Sequence, residues 1–455
     1  MRIIKYVIFL FICYQSAAQI EKNVIAGPVL GTVELRSAQV WVEVAPEVKS
    51  LAVVVNKKGA FANKAKKIIY RGVLGKEFNP CKFLIGGLEV NTTYTYHFEI
   101  NNKPSPFSGE FTTKELWQWR KNAPDFSFLT GSCAYFNEPQ FDRPGKPYGN
   151  DSSIFETMAK TPAAFMLWLG DNWYYRDVDY YDEWGLNYRA SRDRSLPCLQ
   201  PFWKAMPHYA IWDDHDYGNN DADKSYILKE KSREIFKNYW MNPSYGMNEQ
   251  GVFTKITYND VDFFLLDNRW YRSNDEMKDS IDGKPNPEKL MWGKEQMDWL
   301  KNALLRSNVE SKEIKPAFRI IVTGSQVLNP YSPFDCARFF PAEYYELLSF
   351  IRENKIEGVV FLTGDRHHSE IIKMNREGTY PLFDVTVSSL TAGVGIARGL
   401  EKDNPARIPN TLIEENNFAK ISISGKKSNR VLTVEFYKKD GKKLTEWSVN
   451  ENELK

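Results

Sequence analysis

Histidine is scarce: five in 455 residues. A metal site built from imidazoles alone would consume most of them. Cysteine is equally rare, with five, and no two form a C-x-x-C pair. No apolar stretch reaches membrane-spanning length, which excludes a multi-span membrane protein. The formal charge is only +2, so nucleic acid has no basic footprint to bind. There is no G-x-S-x-G elbow for a serine nucleophile and no Arg-Arg pair for a twin-arginine signal. What is present is an ordinary folded composition, 42% hydrophobic and 26% charged, with an excess of aromatics at 14%. That composition rules out a disordered chain.

The N-terminus reads as a targeting segment. Arg2 and Lys5 precede the short apolar run 6–13, and Ser16-Ala17-Ala18 offers small residues for cleavage after Ala18. Residues 1–18 are therefore expected to be a general secretory signal, with the protein periplasmic, cell-surface or extracellular. Both positive charges of that segment leave with it, so the mature chain is neutral and carries no net charge to steer polyanions. Cys81, Cys133, Cys198 and Cys336 remain. An oxidising compartment permits a disulfide between Cys198 and Cys336, although a chain this long can bury a core without one.

Residues 19–113 read as all-β. Short alternating runs recur at 37–44, 50–57, 66–73, 92–100 and 109–113, separated by Gly, Pro and Asn clusters. The expectation is a β-sandwich, and the stretch Leu88–Tyr96 resembles the tyrosine corner of fibronectin type III modules. Residues 114–125 read as a linker. From 126 to 455 the texture changes: continuous apolar runs at 126–131, 163–170, 208–213, 261–267, 318–324 and 358–364 alternate with helical patterns at 153–160, 225–239, 294–305 and 342–354. This pattern predicts a layered α/β domain, with β structure returning at 417–436.

Five of the apolar runs stop and hand over at once to reactive side chains. They are Gly131-Ser132-Cys133, Gly170-Asp171-Asn172-Trp173-Tyr174, Trp212-Asp213-Asp214-His215-Asp216, Leu266-Asp267-Asn268-Arg269 and Gly364-Asp365-Arg366-His367-His368. A single Gly-Asp at a strand end is a common turn, but five such endings in one domain predict a convergent polar cleft at the carboxyl edge of a sheet. Carboxylates mixed with imidazole, thiol and phenol favour a centre of two or more metals over a nucleophile triad. Paired cations remove the repulsion between the carboxylates. They also clamp phosphoryl oxygens and generate a bound hydroxide near neutral pH.

In this order and spacing, the motifs resemble the alkaline phosphatase D (PhoD-like) family of metallophosphoesterases. That family's pattern is a Cys after the first strand, then G-D-x-x-Y, W-D-D-H-[DE], L-D-x-R and G-D-x-H. Gly27-Pro28-Val29-Leu30-Gly31 and the strand at Val40-Trp41-Val42 resemble its N-terminal fibronectin-like domain. The resemblance implies a four-layer αββα metallophosphatase core with an Fe(III) and calcium centre, Zn or Mn being substitutes. It implies that Asp171 bridges the metals and that Cys133 and Tyr174 ligate the iron. Asp214 ligates the second metal, while Asp365 and His367 supply the last two donors. It casts His215 as the acid that contacts phosphate. Arg269 either grips a substrate phosphate or braces Asp267 or a neighbouring carboxylate. Asp213, Asn220 and Gln326 are weaker candidates for the metal set. His208 and His97 read as structural, and His368 as an outer or surface residue. Tyr174, Tyr175, Tyr180, Tyr181, Trp184 and Tyr188 could wall the cleft.

The expected activity is metal-dependent hydrolysis of a small phosphate ester, monoester or diester, by a metal-bound hydroxide. A different class of reading is a surface-binding protein, using the β-sandwich for a glycan or a partner and carrying an inactive metallophosphatase fold. A third is an esterase or other metal-dependent hydrolase built on the same centre.

Overall fold

The computed structural model describes residues 22–455 except 310, 312 and 313. The export signal expected at 1–18 lies outside the described residues. Among those described, no helix is long and apolar enough to cross a membrane. The chain divides into two compact units, one running to Leu116 and including Ala190–Pro207, the other made of Trp117–Arg189 and His208–Lys455.

Period-two alternation builds the first unit. Val40, Val42 and Val44 point inward from Ser37–Val44, and Tyr94, Tyr96, Phe98 and Ile100 point inward from Thr93–Ile100. Strands Val24–Val33, Ser37–Val44 and Pro80–Gly86 form a three-stranded antiparallel sheet. Lys66–Ile69, Leu51–Lys57, Thr93–Ile100 and Lys103–Thr112 form a four-stranded one. The two sheets share one apolar core, in which each fully buried Val, Ile or Phe contributes about 1.5–3 kcal/mol. The Tyr94 hydroxyl accepts the Glu89 backbone N–H at 3.0 Å. His97 pairs with Val54 and Ser108 across the sheet, a strand residue and nothing more. The segment 190–207 belongs here through specific contacts: Gln200 Oε1 accepts the Gly27 N–H at 2.9 Å, and the Arg194 guanidinium lies over the Trp41 and Trp203 rings.

The second unit holds two six-stranded sheets. In one, His208–Ile211, Met166–Leu169 and Phe126–Gly131 run parallel. Asn417–Ser424, Val431–Lys438 and Lys443–Asn450 continue it antiparallel. In the other, Val261–Leu265, Phe318–Thr323, Val359–Thr363 and Leu382–Thr386 run parallel, with antiparallel Thr254–Tyr258 and Glu370–Met374 at the edges. A single core joins both sheets, from Phe128, Leu167 and Ile421 to Phe263, Ile321 and Phe361. Helices Lys294–Asn308 and Pro341–Glu353 contribute Leu300, Leu304, Leu347 and Ile351 to it.

No disulfide joins any of the four described cysteines, so the one entertained between Cys198 and Cys336 does not form. The helix expected at 225–239 begins only at Lys229, because Asp223 accepts the Ser225 N–H and turns the chain first.

Candidate metal centre and active site

Parallel neighbours end at the same edge. In the first sheet, three adjacent strands deliver Cys133, Asp171 and the 212–216 segment to one place. In the second, they deliver Asp267–Arg269, Gly324-Ser325 and Asp365–His367. Two glycines allow the segments to meet. A Cβ on Gly170, whose φ is +92°, would lie 2.7 Å from Asp213 Cβ; one on Gly364 would lie 2.7 Å from the Leu169 carbonyl oxygen.

The donor atoms of Cys133, Asp171 and His367 all lie within 4.8 Å of one another, as do those of Asp171, Asp214 and His215. Asp171 belongs to both groups. The Tyr174 hydroxyl donates to Asp171 Oδ2 at 2.9 Å and stands 3.4 Å from His367 Nε2. Cys133 Sγ is 3.6 Å from the same Asp171 oxygen and accepts from Ser388 Oγ at 3.2 Å. His367 Nδ1 lies 2.5 Å from the Gly393 carbonyl oxygen, which places its proton there and presents the Nε2 lone pair to the cluster. The His215 ring packs 4.1 Å from the Tyr174 ring, and the His215 backbone N–H donates to Asp171 Oδ1 at 3.3 Å.

This is a crowd of buried acids. Burial, then the charges of Asp214 and Cys133, push the Asp171 carboxyl well above the usual range. Asp214 is also buried, yet His215, Arg269 and the Asp221 N–H hold it below that range. Burial and Asp365 push the Cys133 thiol up to about 12. Burial and Asp171 raise Tyr174. Burial drives His215 down to about 4 against the pull of Asp214, with His367, Arg269 and Arg143 adding to the depression. The set fits a highly charged cation pair, because only strong Lewis acids convert such a thiol and phenol into anionic donors.

The WDDHD motif explains its own geometry. Asp213 caps the short helix Asp214–Tyr217, and Asp216 closes the box by accepting the Asp213 N–H at 2.6 Å. Asp216 also accepts the Asn172 N–H, which ties this motif to the GDNWY turn. Asp213 Oδ1 accepts from Asp214 N–H, Asn268 Nδ2 and Arg269 Nε, and its Oδ2 makes no hydrogen bond among the described residues. Burial lifts it to about 6 even with Arg269 beside it. Arg269 is fully buried. Its side chain joins Asp213 to Asp335 and stands 4.0 Å from Asp214, so the bracing half of its two readings describes its contacts. Asp267 is held instead by Trp212 Nε1 and the backbone N–H groups of Val252, Arg269 and Trp270.

Asp365 joins neither donor group. It lines the cavity beside them, and burial with the charges of Asp335, Asp213 and Asp214 raises its carboxyl well above the usual range. Asn220 is exposed at the cavity rim and bonds Asp221. Gln326 faces elsewhere, donating to Glu370 Oε1 at 2.8 Å and Thr386 Oγ1 at 2.9 Å. That second buried cluster includes His368, Glu370 and Glu401, with their donor atoms within 4.8 Å. Arg366 and Arg407 pair with its two glutamates, which balances its charge and marks it as a structural ion-pair network. His368 is thus buried rather than at the surface. His208 is structural: its Nδ1 accepts from Trp168 Nε1 at 3.1 Å.

Of the aromatic run, Tyr174, Tyr175 and Tyr180 line a cavity, whereas Tyr181 and Trp184 are exposed and Tyr188 bonds Glu138. Sequence reasoning missed Tyr148, whose hydroxyl is 3.2 Å from His367 Nδ1; Asp335, the partner of Arg269 and Arg272; and Ser388, which bonds Cys133 and the His367 N–H. Tyr148 and Asp335 lie in loops, and Ser388 follows strand Leu382–Thr386, whose pattern the sequence reading did not pick out.

A family model described as PhoD-like phosphatase matches residues 128–425. The chain is 26% identical over 325 residues to "Alkaline phosphatase D" of Bacillus subtilis (strain 168), a match that covers 62% of this chain. It spans about half, 52%, of that relative's length. A solved structure titled "Structure of PhoD" superposes with a TM-score of 0.72 over 93% of this chain and 92% of that one, at 19% identity, a likeness of fold.

Proposed function

The chain belongs to the PhoD-like phosphatase family, and from that premise we propose that it is a metal-dependent hydrolase of phosphate esters. The observation that carries the reading is Asp171, whose carboxylate is shared by two donor groups. Cys133, Tyr174, Asp171 and His367 would hold one cation; Asp171 and Asp214 would hold the other, with Asp365 reaching it only by a shift from its place in the cavity lining. Fe(III) suits the first set, since thiolate and phenolate stabilise the ferric state, and calcium suits the carboxylates of the second. When bound, such cations polarise phosphoryl oxygens and lower the pKa of water.

The protein's own groups do the rest. His215, beside Asp171 and Tyr174, would move a proton to or from the ester oxygen. Asp213 and Arg269 orient the Asp214–Tyr217 helix that carries it. Gly393 fixes the His367 tautomer. Monoester and diester remain equal candidates. We propose a four-layer αββα arrangement for the catalytic part. A fibronectin III-like sandwich is proposed for 19–113, supported by the Tyr94–Glu89 bond, together with export of the protein.

The test combines elemental analysis with assays on a monoester and a diester of one chromophore. The expected result is metal-dependent release of product and a visible charge-transfer band, both lost in Asp171→Asn. Full turnover by that variant would overturn the assignment, and active, colourless, iron-free protein would overturn the ferric part of it.

A further inference from the structure

The cleft has two arms of opposite electrical character, both bordered by Tyr148 and Asn220. The larger, about 800 Å³, contains Arg272, Lys289 and Arg366. Each of these cations is already paired: Arg272 with Asp335 and Asp275, Lys289 with Asp279, Arg366 with Glu401. The acids Asp221 and Glu276 also line that arm, so it offers an anion little. The smaller arm, about 350 Å³, is lined by His215 and by Arg143 and Lys146. These two cations are exposed, and neither has an ion-pair partner among the described residues.

Their loop is fixed in place. Asn137 and Gly149 close its base through two hydrogen bonds, at 2.7 and 2.9 Å. Asp142, the one acid next to Arg143, is consumed by the Tyr135 hydroxyl, Arg176 Nε and the Glu138 N–H. Arg176 in turn lies 3.8 Å over the Tyr135 ring and binds the Tyr174 carbonyl oxygen. The other acid lining this arm, Asp177, accepts from the Tyr180 hydroxyl. The arm therefore sets three cations, Arg143, Lys146 and Arg176, against two carboxylates, Asp142 and Asp177, and its positive excess sits at the loop tip over an aromatic floor, on the side of the centre where His215 stands.

We propose that Arg143 and Lys146 form an anion subsite for the leaving group, so that the preferred substrates are phosphate esters whose departing alcohol carries a further anionic group. This deepens the proposed phosphoesterase reading and rests on it. The departing oxygen must face the proton donor, and His215 and the two cations share one cavity. A second charge on the alcohol would meet Arg143 as a forked donor and Lys146 as a point charge. The subsite acts on which ester is chosen; the bond broken is the same P–O bond, with water supplying the new oxygen and the alcohol taking the proton.

The test uses esters of 4-nitrophenol, 3-carboxy-4-nitrophenol and 3-phosphono-4-nitrophenol, each as the phosphate monoester and the methyl diester, with the metal-replete full chain. The wild type should favour the charged leaving groups, and raising salt should erode that preference. Arg143→Ala with Lys146→Ala should lower the charged-to-plain ratio of kcat/KM about tenfold. Arg143→Lys should keep most of it. The carboxylate and phosphonate arms show which anion the loop favours. A merely structural role would lower all rates together and leave the ratio unmoved, which overturns the subsite while the phosphoesterase reading stands. Wild type that hydrolyses none of the esters overturns that reading and the subsite with it.

Discussion

Replacing Arg269 with methionine asks whether the acidic centre depends on one buried guanidinium. Arg269 is 1% exposed, donates to Asp213 at 2.5 Å and to Asp335, and stands 4.0 Å from Asp214. Each charge-assisted bond contributes about 1.5–3 kcal/mol, so losing two costs about 3–6 kcal/mol. That agrees with the ~3–5 kcal/mol typical of breaking a buried ion pair and stranding its partner. The unit concerned has roughly 320 residues and hence a melting entropy of about 0.7 kcal/mol/K, so a loss of 4 kcal/mol appears as a fall of about 6 °C in Tm. Calorimetry in chelator, where no cation can offset the stranded buried carboxylates, reads this directly. Adding Asp213→Asn should recover a large part of the loss, because Asn keeps the helix cap and removes the stranded charge. A single variant within about 1 kcal/mol of wild type, or a double variant that loses the sum of both singles, would refute the electrostatic account.

Glu343 accepts the N–H groups of Met291, Trp292 and Gly293 at 2.5–2.8 Å where helix Lys294–Asn308 begins, so Glu343→Ala should cost about 3 kcal/mol or more in urea unfolding. Glu370 is pushed up by burial but pulled further down by His368 and Arg407, to about 2. With an unfolded value of about 4.3, its contribution is complete above pH ~4.3 and disappears as pH falls through 2; Glu370→Gln should flatten urea midpoints against pH across that window, and parallel curves would refute it. The raised carboxyl of Asp171 burdens the fold at alkaline pH, so Asp171→Asn in chelator at pH 8 should gain about 1 kcal/mol over wild type while losing metal, with Asp171→Ala less stable than Asn because the backbone there is left-handed. Melting curves of the three proteins would show the opposite order if burial were not the dominant cost.

Six of the seven parallel strands were legible as continuous apolar runs, five of them followed at once by a polar ending. Helix Glu183–Ser195 was not. Its buried side includes Arg189, paired with Asp179 and Glu138 at 2.8 Å, so ion pairs stand where an apolar stripe would announce a helix. Strand Leu382–Thr386 hides for a related reason: its buried Asp384 breaks the apolar run, yet is satisfied by the N–H groups of Val327 and Leu328 and by Thr363 Oγ1. Strands Val24–Val33 and Pro80–Gly86 carry Gly and Pro, which read as turns. At the site, strand-end motifs exposed Cys133, Asp171, Tyr174, Asp214, His215 and His367. Tyr148 and Asp335 come from intervening loops, where only the folded chain sets the distance, and Ser388 follows the hidden strand Leu382–Thr386.

The backbone explains why strand ends carry these donors. Cys133, Asp171, Asp365 and His367 have φ values of 60°, 53°, 65° and 58°, in the left-handed region that non-glycine residues seldom adopt. Each such residue costs on the order of 1–2 kcal/mol, and four of them together would consume a good part of a domain's net stability. They persist because the two sheets and their shared core dictate where each strand stops, and because the Cys133 N–H donates to Gly170 O and the Ala134 N–H to Asp171 O, which locks the first two turns to each other. A left-handed residue at a strand end turns its side chain off the sheet's alternation and along the edge. Taken singly, each of the three Gly-Asp or Gly-x-Cys endings is an ordinary turn. What makes them a site is that the same uncommon turn recurs at converging strands, so that donors separated by more than 200 residues reach one another within 4.8 Å.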